Sequence, residues 1–302
     1  MSNPAGDPDA ALHDAPPRLR SRGTPLRERL FHLSLWFSLA VAVVFLASLL
    51  AYVLSEGWSR LDPRLWTNFP DYIDPTRGGA QSAIMGTVWV IGFTALYCLP
   101  TGILTAIYLE EYAAPDQWWN RAIEINIQNL AAVPSIVYGI LGLGVISRGL
   151  GFGQTVLTAS LTLSLLVLPV VIISSREAIR AVPQSIRQAS LALGATQWQT
   201  IRRQVLPAAV PGMATGSILA LSRAIGEAAP LLLLGGLTFI TFNPSGVQSQ
   251  FTVLPIQIFN WISQSRAEFV SLASAAIVIL LAILLAMNSV AIWLRNRYAR
   301  TW

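Results

Sequence analysis

The sequence contains no lysine, and all twenty of its basic residues are arginine. Without lysine the chain cannot form the phosphate-binding loop of a nucleotide hydrolase, or a Schiff base with a carbonyl substrate. It has one cysteine, Cys98, and two histidines, His13 and His32, which cannot supply a Cys/His zinc cage or an internal disulfide bond. These absences exclude a phosphate-loop ATPase site, lysine Schiff-base chemistry and a Cys/His zinc cage; no catalytic residue, metal or cofactor is predicted for this chain.

Charged residues are also scarce, at 12% of the chain against 54% apolar residues. Soluble domains carry about 25% charged residues, so this composition favours a membrane protein. The net charge of +5 then reflects arginine on the cytoplasmic side of the membrane and not nucleic-acid binding.

Long stretches with few or no charges locate the membrane spans. A charge in hydrocarbon costs about 2.5–3.5 kcal/mol, and a helical span needs about 20 mostly apolar residues. The fold class is therefore predicted to be an all-α polytopic membrane protein with six transmembrane helices, at residues 30–55, 82–109, 125–147, 154–175, 208–235 and 269–294.

The distribution of arginine sets the orientation of these spans. With the N-terminus inside the cell, fourteen arginines lie in cytoplasmic segments and five in outer segments, as the positive-inside rule requires. Both termini are then predicted to be cytoplasmic. Residues 1–29 lack apolar periodicity and are predicted to be a disordered cytoplasmic segment ahead of the transmembrane domain, residues 30–302.

Two outer segments, residues 56–80 and 238–267, are long enough to present a surface. Aromatic residues are enriched both at membrane interfaces and at protein interfaces. The second segment therefore either lies against the bilayer or receives a partner, through Phe251, Leu254, Ile256, Ile258, Phe259 and Trp261.

The third predicted span carries three glycines, Gly139, Gly142 and Gly144. Small residues let helices approach closely and also allow a helix to bend, and close packing is the favoured interpretation. Because no strand precedes these glycines, they do not form a nucleotide-binding fingerprint.

The cytoplasmic segment 176–207, between the fourth and fifth spans, has the local signals of two short helices. Pro183 suits the first turn of a helix, and Gly194 suits the left-handed turn that ends one. Thr196 and Gln199 then match a capping box at the start of a second helix, and Pro207 closes the unit. The segment is predicted to be a docking element; the alternative is an amphipathic connector that lies on the membrane surface.

The fifth span is the only one that contains charges, Arg223 and Glu227. Four residues apart, they lie on one face of a helix, where charged residues normally face a water-lined pathway or a partner. Arginine binds tetrahedral oxyanions through its planar fork, so Arg223 is the predicted substrate-binding residue. Glu227 would accept a hydrogen bond from a protonated oxyanion, orient Arg223 or gate the pathway. The alternative is a purely structural ion pair.

The same face is expected to include Gly216, Ala220, Gly226 and Pro230.

Two further partners of the fifth span are predicted: a second positive charge and a closely packed helix. A single positive charge beside Glu227 is a weak match for a dianion, so a second positive group is expected from a companion chain packed against this one. An adjoining face carries small residues at every fourth position, which lets another helix approach closely. These residues are Gly212, Gly216, Ala220, Ala224 and Ala228.

Within the segment 176–207, Gln188-Ala189-Ser190, Gly194 and Leu206-Pro207 resemble the EAA loop of ABC-importer permeases in their spacing. The match is partial, because Gln188 replaces the glutamate of the family, Ser190 its second alanine and Gln204 its isoleucine. The resemblance implies a coupling loop that packs into a cleft on an ATP-binding subunit and passes ATP-driven motion to the membrane helices.

Four further motifs resemble the phosphate permeases of the PstA family, over residues from about 78 to 300: Tyr108–Tyr112, Val133–Gly139, Ser222–Glu227 with Pro230–Leu232, and Leu254–Trp261. The resemblance implies a type I ABC-importer permease fold in a bacterial or archaeal inner membrane, with Ile136 and Tyr138 near the pathway. The implied partners are a PstC-like companion permease, a dimer of PstB-like ATP-binding subunits and an external PstS-like phosphate-binding protein.

The implied function is the import of inorganic phosphate, with ATP hydrolysis left to the partner subunits. Three alternatives stay open: a permease for another oxyanion such as sulfate or molybdate, an ATP-independent secondary transporter, and a signalling scaffold that reports phosphate supply. Secondary transporters often carry coupling-ion carboxylates in several spans. Glu227 is the only acid within a predicted span, which counts against that class.

Overall fold

In the computed structural model, which describes residues 26–298 except 115, 237 and 238, every regular element is a helix. The α-helices are α1 Leu26–Gly57, α2 Arg64–Thr67, α3 Gln81–Ile107, α4 Trp118–Ala132, α5 Ser135–Leu141, α6 Val156–Arg180, α7 Gln184–Ala192, α8 Gln197–Thr200, α9 Leu206–Gly226, α10 Ala229–Leu233, α11 Leu254–Ile262 and α12 Ala267–Tyr298. Three π-helical turns extend α3, α5 and α8: Tyr108–Tyr112, Gly142–Gly149 and Ile201–Val205.

Five helical segments within the described ranges are long and apolar enough to cross a membrane: Leu26–Arg60, Gln81–Tyr112, Val156–Arg180, Gln197–Gly226 and Ala267–Arg297. A sixth results if the bent pair Trp118–Ala132 and Ser135–Gly149 is counted as one span. The prediction of an all-α polytopic membrane protein is therefore confirmed.

The first helix begins earlier than predicted. Residues 26–29 belong to α1, so the expected disordered segment 1–29 is wrong at these four residues, and residues 1–25 lie outside the described ones. The prediction began the helix after the last charged residue, which is too late, because a helix can continue beyond the hydrocarbon and carry arginine there. The same reason explains why α6 reaches Arg180 and not 175 as expected.

The third predicted span, 125–147, is not a single straight helix. It consists of α4 and α5 with its π turn, bent by 105°. Between them Val133 has an extended backbone, with ψ at 131°, because the ring of Pro134 disfavours helical geometry in the residue before it.

The fifth predicted span, 208–235, is also interrupted. Helix α9 ends at Gly226, Glu227 has an extended backbone with ψ at 107°, and α10 starts at Ala229. Two local features favour this break: glycine is a poor helix former, and Pro230 has no N–H to donate but is tolerated in the first turn of the following helix.

Hydroxyl groups join α3 to α6 in the centre of the bundle. Ser160 Oγ donates to the carbonyl oxygen of Val90 at 3.1 Å, and Ser164 Oγ donates to that of Thr94 at 3.3 Å. Serine and threonine commonly hydrogen-bond across helices in membranes, where apolar side chains alone gain little by leaving lipid.

The small residues of α9 pack against α6, as predicted. A Cβ atom at Gly216 would lie 2.4 Å from Ser174 Oγ, and one at Gly212 would lie 2.8 Å from the Cβ of Ala178. Ala220 and Ala224 are buried on the same helix. The last member of the predicted series, Ala228, lies beyond the end of α9.

At the end of the bundle formed by residues 58–80 and 239–266, α11 folds back into the core. Five of the six apolar residues expected at a bilayer or partner surface are buried, and only Phe259 is exposed. These five residues therefore face neither the bilayer nor a partner, and both predicted locations are wrong for them. The backbone explains the burial, because Leu254 N–H donates to Thr87 Oγ1 on α3 at 3.0 Å. Burial also raises the pKa of the nearby Tyr72 phenol.

Candidate functional site

Arg223 lies in the last turn of α9, with 60% of its side chain exposed. The residues on either side of it, Ser222 and Ala224, are buried. The prediction that Gly216, Ala220 and Pro230 share this face is wrong. Gly216 packs against α6, and Ala220 and Pro230 are buried. They are buried because the small-residue face of α9 is used for packing. Of the predicted set, only Gly226 is exposed as Arg223 is.

The contact between Arg223 and Glu227 is long and single. Nε of Arg223 donates to Oε1 of Glu227 at 3.4 Å. Among the described residues, no hydrogen-bond partner reaches the two terminal amino groups of Arg223. An exposed ion pair contributes about 0–1 kcal/mol, so this contact does little to hold the fold together. The positive charge suits its place, because the C-terminal turn of a helix attracts cations.

Glu227 occupies the break between α9 and α10 and not a helical turn. Its side chain is 19% exposed, so it is much less accessible than Arg223. A break in a membrane-spanning helix is tolerated where the freed backbone lines a cavity or lies inside protein. The carboxylate is thus held beside the guanidinium by local backbone geometry.

The two interrupted spans meet just beyond their breaks. A Cβ atom at Gly139 of α5 would lie 2.7 Å from the Cα of Pro230 in α10, and one at Gly142 would lie 2.2 Å from Thr162 Oγ1 of α6. These glycines therefore serve close packing, as favoured from the sequence, whereas a Cβ atom at Gly144 would meet nothing within 4 Å. The bend itself lies upstream, before Pro134.

The two residues expected near the pathway differ in exposure. Ile136 is exposed, whereas Tyr138 is buried and its hydroxyl donates to the carbonyl oxygen of Leu130 at 2.8 Å. This bond crosses the bend between α4 and α5. Tyr138 thus stabilises the bend, and Ile136 presents an apolar surface.

The segment between α6 and α9 has the predicted local structure. Helix α7 follows Pro183, and Gly194 adopts a left-handed φ of +82°. In the capping box, Thr196 N–H donates to Gln199 Oε1 at 2.9 Å, and Gln199 N–H donates to Thr196 Oγ1 at 3.3 Å. The prediction of helix, glycine turn and helix is confirmed.

The surface of this segment is open and partly apolar. Gln188, Ala189 and Leu193 are exposed, and Leu193 is 89% accessible. Ser190 Oγ lies 2.9 Å from Thr200 Oγ1 and joins α7 to α8. Beside them is a cavity of about 420 Å³, lined by Ile186, Ala189, Ser190, Leu193, Ala195, Gln199, Arg203 and Gln204. The last two residues of the predicted motif, Leu206 and Pro207, begin α9.

Sequence reasoning missed an ionic network at the arginine-rich end of the bundle, which is formed by residues 108–124 and 176–205. Glu110 and Glu111 in the π turn after α3 pair with three arginines that follow far along the chain: Arg176, Arg180 and Arg187. The available signal was that two consecutive acids end a long charge-free stretch on the side predicted to be rich in arginine. Within the described residues, no group of three or more His, Cys, Asp or Glu side chains could hold a metal.

Similar proteins are found both among sequences and among solved structures. The chain is 34% identical over 250 residues to "Phosphate transport system permease protein PstA 1" of Mycobacterium tuberculosis, covering 82% of this chain and 81% of that protein. It is 31% identical over 272 residues to "Probable ABC transporter permease protein YqgI" of Bacillus subtilis, covering 85% and 92%. A chain of the bacterial alginate ABC transporter, solved with an alginate pentasaccharide-bound periplasmic protein, has a TM-score of 0.65 and 17% identity, covering 91% and 96%.

The low identity to the solved structure shows a shared fold, and the sequence relatives extend the likeness over most of the chain. The family described as "Binding-protein-dependent transport system inner membrane component" matches residues 98–300. That range includes the α9–α10 break, the Arg223–Glu227 pair and the segment between α6 and α9. The chain therefore belongs to this family of inner-membrane components, as a permease subunit of an ABC importer.

Proposed function

We propose that this chain is the PstA-type permease subunit of an ATP-driven importer of inorganic phosphate, in which Arg223 binds the anion. The observation that carries the proposal is the open guanidinium of Arg223 inside an apolar span, with its terminal amino groups unpartnered among the described residues. The relative from Mycobacterium tuberculosis, a phosphate transport system permease by name, supports phosphate as the substrate.

An exposed arginine in an apolar span needs a polar neighbour. Facing lipid would cost about 2.5–3.5 kcal/mol, whereas facing a water-lined pathway leaves the charge solvated. The planar guanidinium can donate two parallel hydrogen bonds to two oxygens of a phosphate. Arg223 therefore faces the pathway between this chain and its companion permease.

Glu227 and the companion chain complete the site. A carboxylate 3.4 Å from Arg223 Nε offsets part of the positive charge, so a dianion needs a second cation. We place that cation on the PstC-like companion permease. Glu227 accepts a hydrogen bond from the protonated oxygen of phosphate. Sulfate has no protonated oxygen at neutral pH.

The segment 183–207 is the coupling loop for the ATP-binding subunits. Gln188, Ala189 and Gly194 are exposed and Ser190 is half-buried, and Ala189 and Ser190 line the cavity beside α7. Leu206 and Pro207 start the helix that carries Arg223, so movement of the loop is transmitted directly along α9. The arginine-rich end and both termini then face the cytoplasm, and the external phosphate-binding protein docks at the opposite end.

The test is Arg223→Gln in the complete transporter, reconstituted in vesicles with its companion permease, ATP-binding subunits and binding protein. Loss of a charge-assisted bond worth about 1.5–3 kcal/mol predicts labelled-phosphate uptake roughly 10- to 100-fold lower, with unchanged co-purification of the subunits. Arg295→Gln, which removes an exposed charge at the end of α12, is the control and is expected to transport normally.

Three outcomes would contradict the proposal. Normal phosphate uptake by the Arg223→Gln complex would make that residue structural. Uptake of sulfate or molybdate in preference to phosphate would assign another oxyanion, and uptake without the ATP-binding subunits would assign a secondary transporter.

A further inference from the structure

Arg187 is a buried cation in the middle of α7, with only 9% of the residue exposed. Its guanidinium makes four hydrogen bonds. Nε and one terminal amino group donate to Glu111 Oε1 at 3.2 and 2.8 Å. The same amino group also donates to the carbonyl oxygen of Ile179 at 2.9 Å, and the other donates to that of Val182.

These four bonds join three separate elements. Arg187 belongs to α7, Glu111 to the π turn after α3 and Ile179 to the last turn of α6, and Val182 lies in the linker between α6 and α7. The last carbonyl groups of a helix have no partner within the helix, so arginine often caps them. One side chain therefore ties the coupling loop to the ends of two spans at once.

A second bond reaches the same turn from α8. Gln197 Nε2 donates to the backbone carbonyl oxygen of Glu111 at 2.6 Å. Both short helices of the coupling loop are thus anchored to Glu111, one through its side chain and one through its backbone.

The neighbouring acid, Glu110, holds α6 and not the loop. Arg180 donates to both carboxylate oxygens of Glu110 at 3.0 Å, and Arg176 donates to Glu124 of α4 at 2.9 Å. The π turn therefore gives one acid to the end of α6 and the next acid to the loop. It connects the loop to the spans without passing through α9.

A buried ion pair is weak evidence for stability, because a well-packed apolar pair is often as stable. Such a pair instead fixes the relative position of the elements that it joins, since its directional bonds tolerate little displacement. Here those elements are the loop expected to receive the ATP-binding subunit and two spans of the bundle.

We propose that Arg187 and Glu111 form a positioning clamp that makes the coupling loop move as one body with α3 and α6. The clamp rests on the proposed function, because it matters only if the loop receives motion from ATP-binding subunits. With the clamp closed, a displacement of the loop reaches the spans at the π turn as well as along α9. With the clamp open, the loop absorbs the displacement by moving against the spans.

The main test variant is the double substitution E111Q/R187Q, which removes both charges together and leaves no unpaired buried ion. In the reconstituted complex we expect unchanged co-purification and continued ATP hydrolysis. Labelled-phosphate uptake per ATP hydrolysed should fall by about 5- to 150-fold, the usual range of coupling between two sites. Arg187→Lys should recover part of this loss, because an ammonium can pair with Glu111 but cannot reproduce the four-bond fork.

Glu177→Gln is the matched control. Glu177 is an exposed acid at the same end of α6, and among the described residues its one ion pair is a 3.4 Å contact with Arg180, which keeps its two bonds to Glu110. This variant is expected to couple ATP hydrolysis to uptake as the wild type does.

A structural readout separates the clamp from the proposed function. Spin labels at positions 104 and 198, both exposed on α3 and α8, report the distance between span and loop in a variant in which Cys98 is replaced by alanine. We expect one narrow distance distribution in the wild type with and without ATP, and a broader or shifted one in E111Q/R187Q.

Failure of the proposed function and failure of the clamp give different results. If the wild-type complex does not import phosphate, the proposed function fails and the spin-label distances alone decide the clamp. Unchanged distances in the double variant, wild-type uptake per ATP, or loss of subunit co-purification with no change in distance would each overturn the clamp.

Discussion

Two arginine–glutamate pairs in this chain are built in opposite ways. Arg187 is buried and makes four hydrogen bonds to Glu111 and to the end of α6. Arg223 is 60% exposed and makes a single 3.4 Å contact with Glu227. The Arg187 guanidinium uses four of its five N–H donors within the protein, whereas that of Arg223 has both terminal amino groups available. The comparison separates a residue that holds the structure from one that is free to bind.

The largest expected effect is a difference in the free energy of unfolding between variants of the two arginines. Arg187→Ala leaves the carboxylate of Glu111 buried without its partner, so the free energy of unfolding should fall by about 3–5 kcal/mol. Arg223→Ala should change it by about 1 kcal/mol or less, because its ion pair is exposed. Thermal unfolding of the two variants in detergent measures the difference. Equal losses would remove the distinction between the two arginines.

A smaller effect is expected from the packing that places Arg223. A leucine at Gly216 would collide with Ser174 of α6, since even its Cβ would lie 2.4 Å from Ser174 Oγ. Overpacking of this kind costs about 1–3 kcal/mol. Gly92→Leu is the matched control, because nothing lies within 4 Å of the Cβ position there. Unfolding in detergent should separate the two variants, and similar stabilities would show that α9 is not held through its small residues.

The smallest effect concerns the local rigidity of the segment 183–207, the proposed coupling loop. Thr196→Ala removes one half of the capping box and should cost about 0.5–2 kcal/mol. Faster hydrogen exchange at residues 197–200 measures this loss. Thr105→Ala is the control, because that hydroxyl only bonds back to Thr101 within α3. If both variants exchange alike, the bond from Gln197 to Glu111 and not the cap orders α8.

Local chemistry could be predicted where neighbouring residues decide it. The capping box at Thr196, the left-handed Gly194 and the small-residue face at Gly212 and Gly216 each depend on side chains a few positions apart. The apolar spans follow from the same kind of information, because hydrocarbon excludes charge over any stretch of about 20 residues. For these features the predictions agree with the structure.

The breaks and the burial of α11 were not predicted, although Pro134, Gly226 and Pro230 were visible. A proline or glycine permits a break but does not require one, since neighbouring helices decide whether the freed backbone groups find partners. The apolar residues of α11 look the same from the sequence whether they face lipid, a partner or the core. Leu254 is buried in an apolar cluster, and its N–H donates to Thr87 of α3, 167 positions away.

The sequence by itself determined the all-helical class, the apolar spans and the two short helices between α6 and α9, because periodicity, charge and capping depend on residues close together in the chain. Only the tertiary structure decided which charges are satisfied. Glu111 and Arg187 are 76 positions apart, and their pairing depends on how α3, α6 and α7 end together. The same folding leaves the Arg223 side chain 60% exposed, with a single 3.4 Å contact to Glu227 within the described part of the chain.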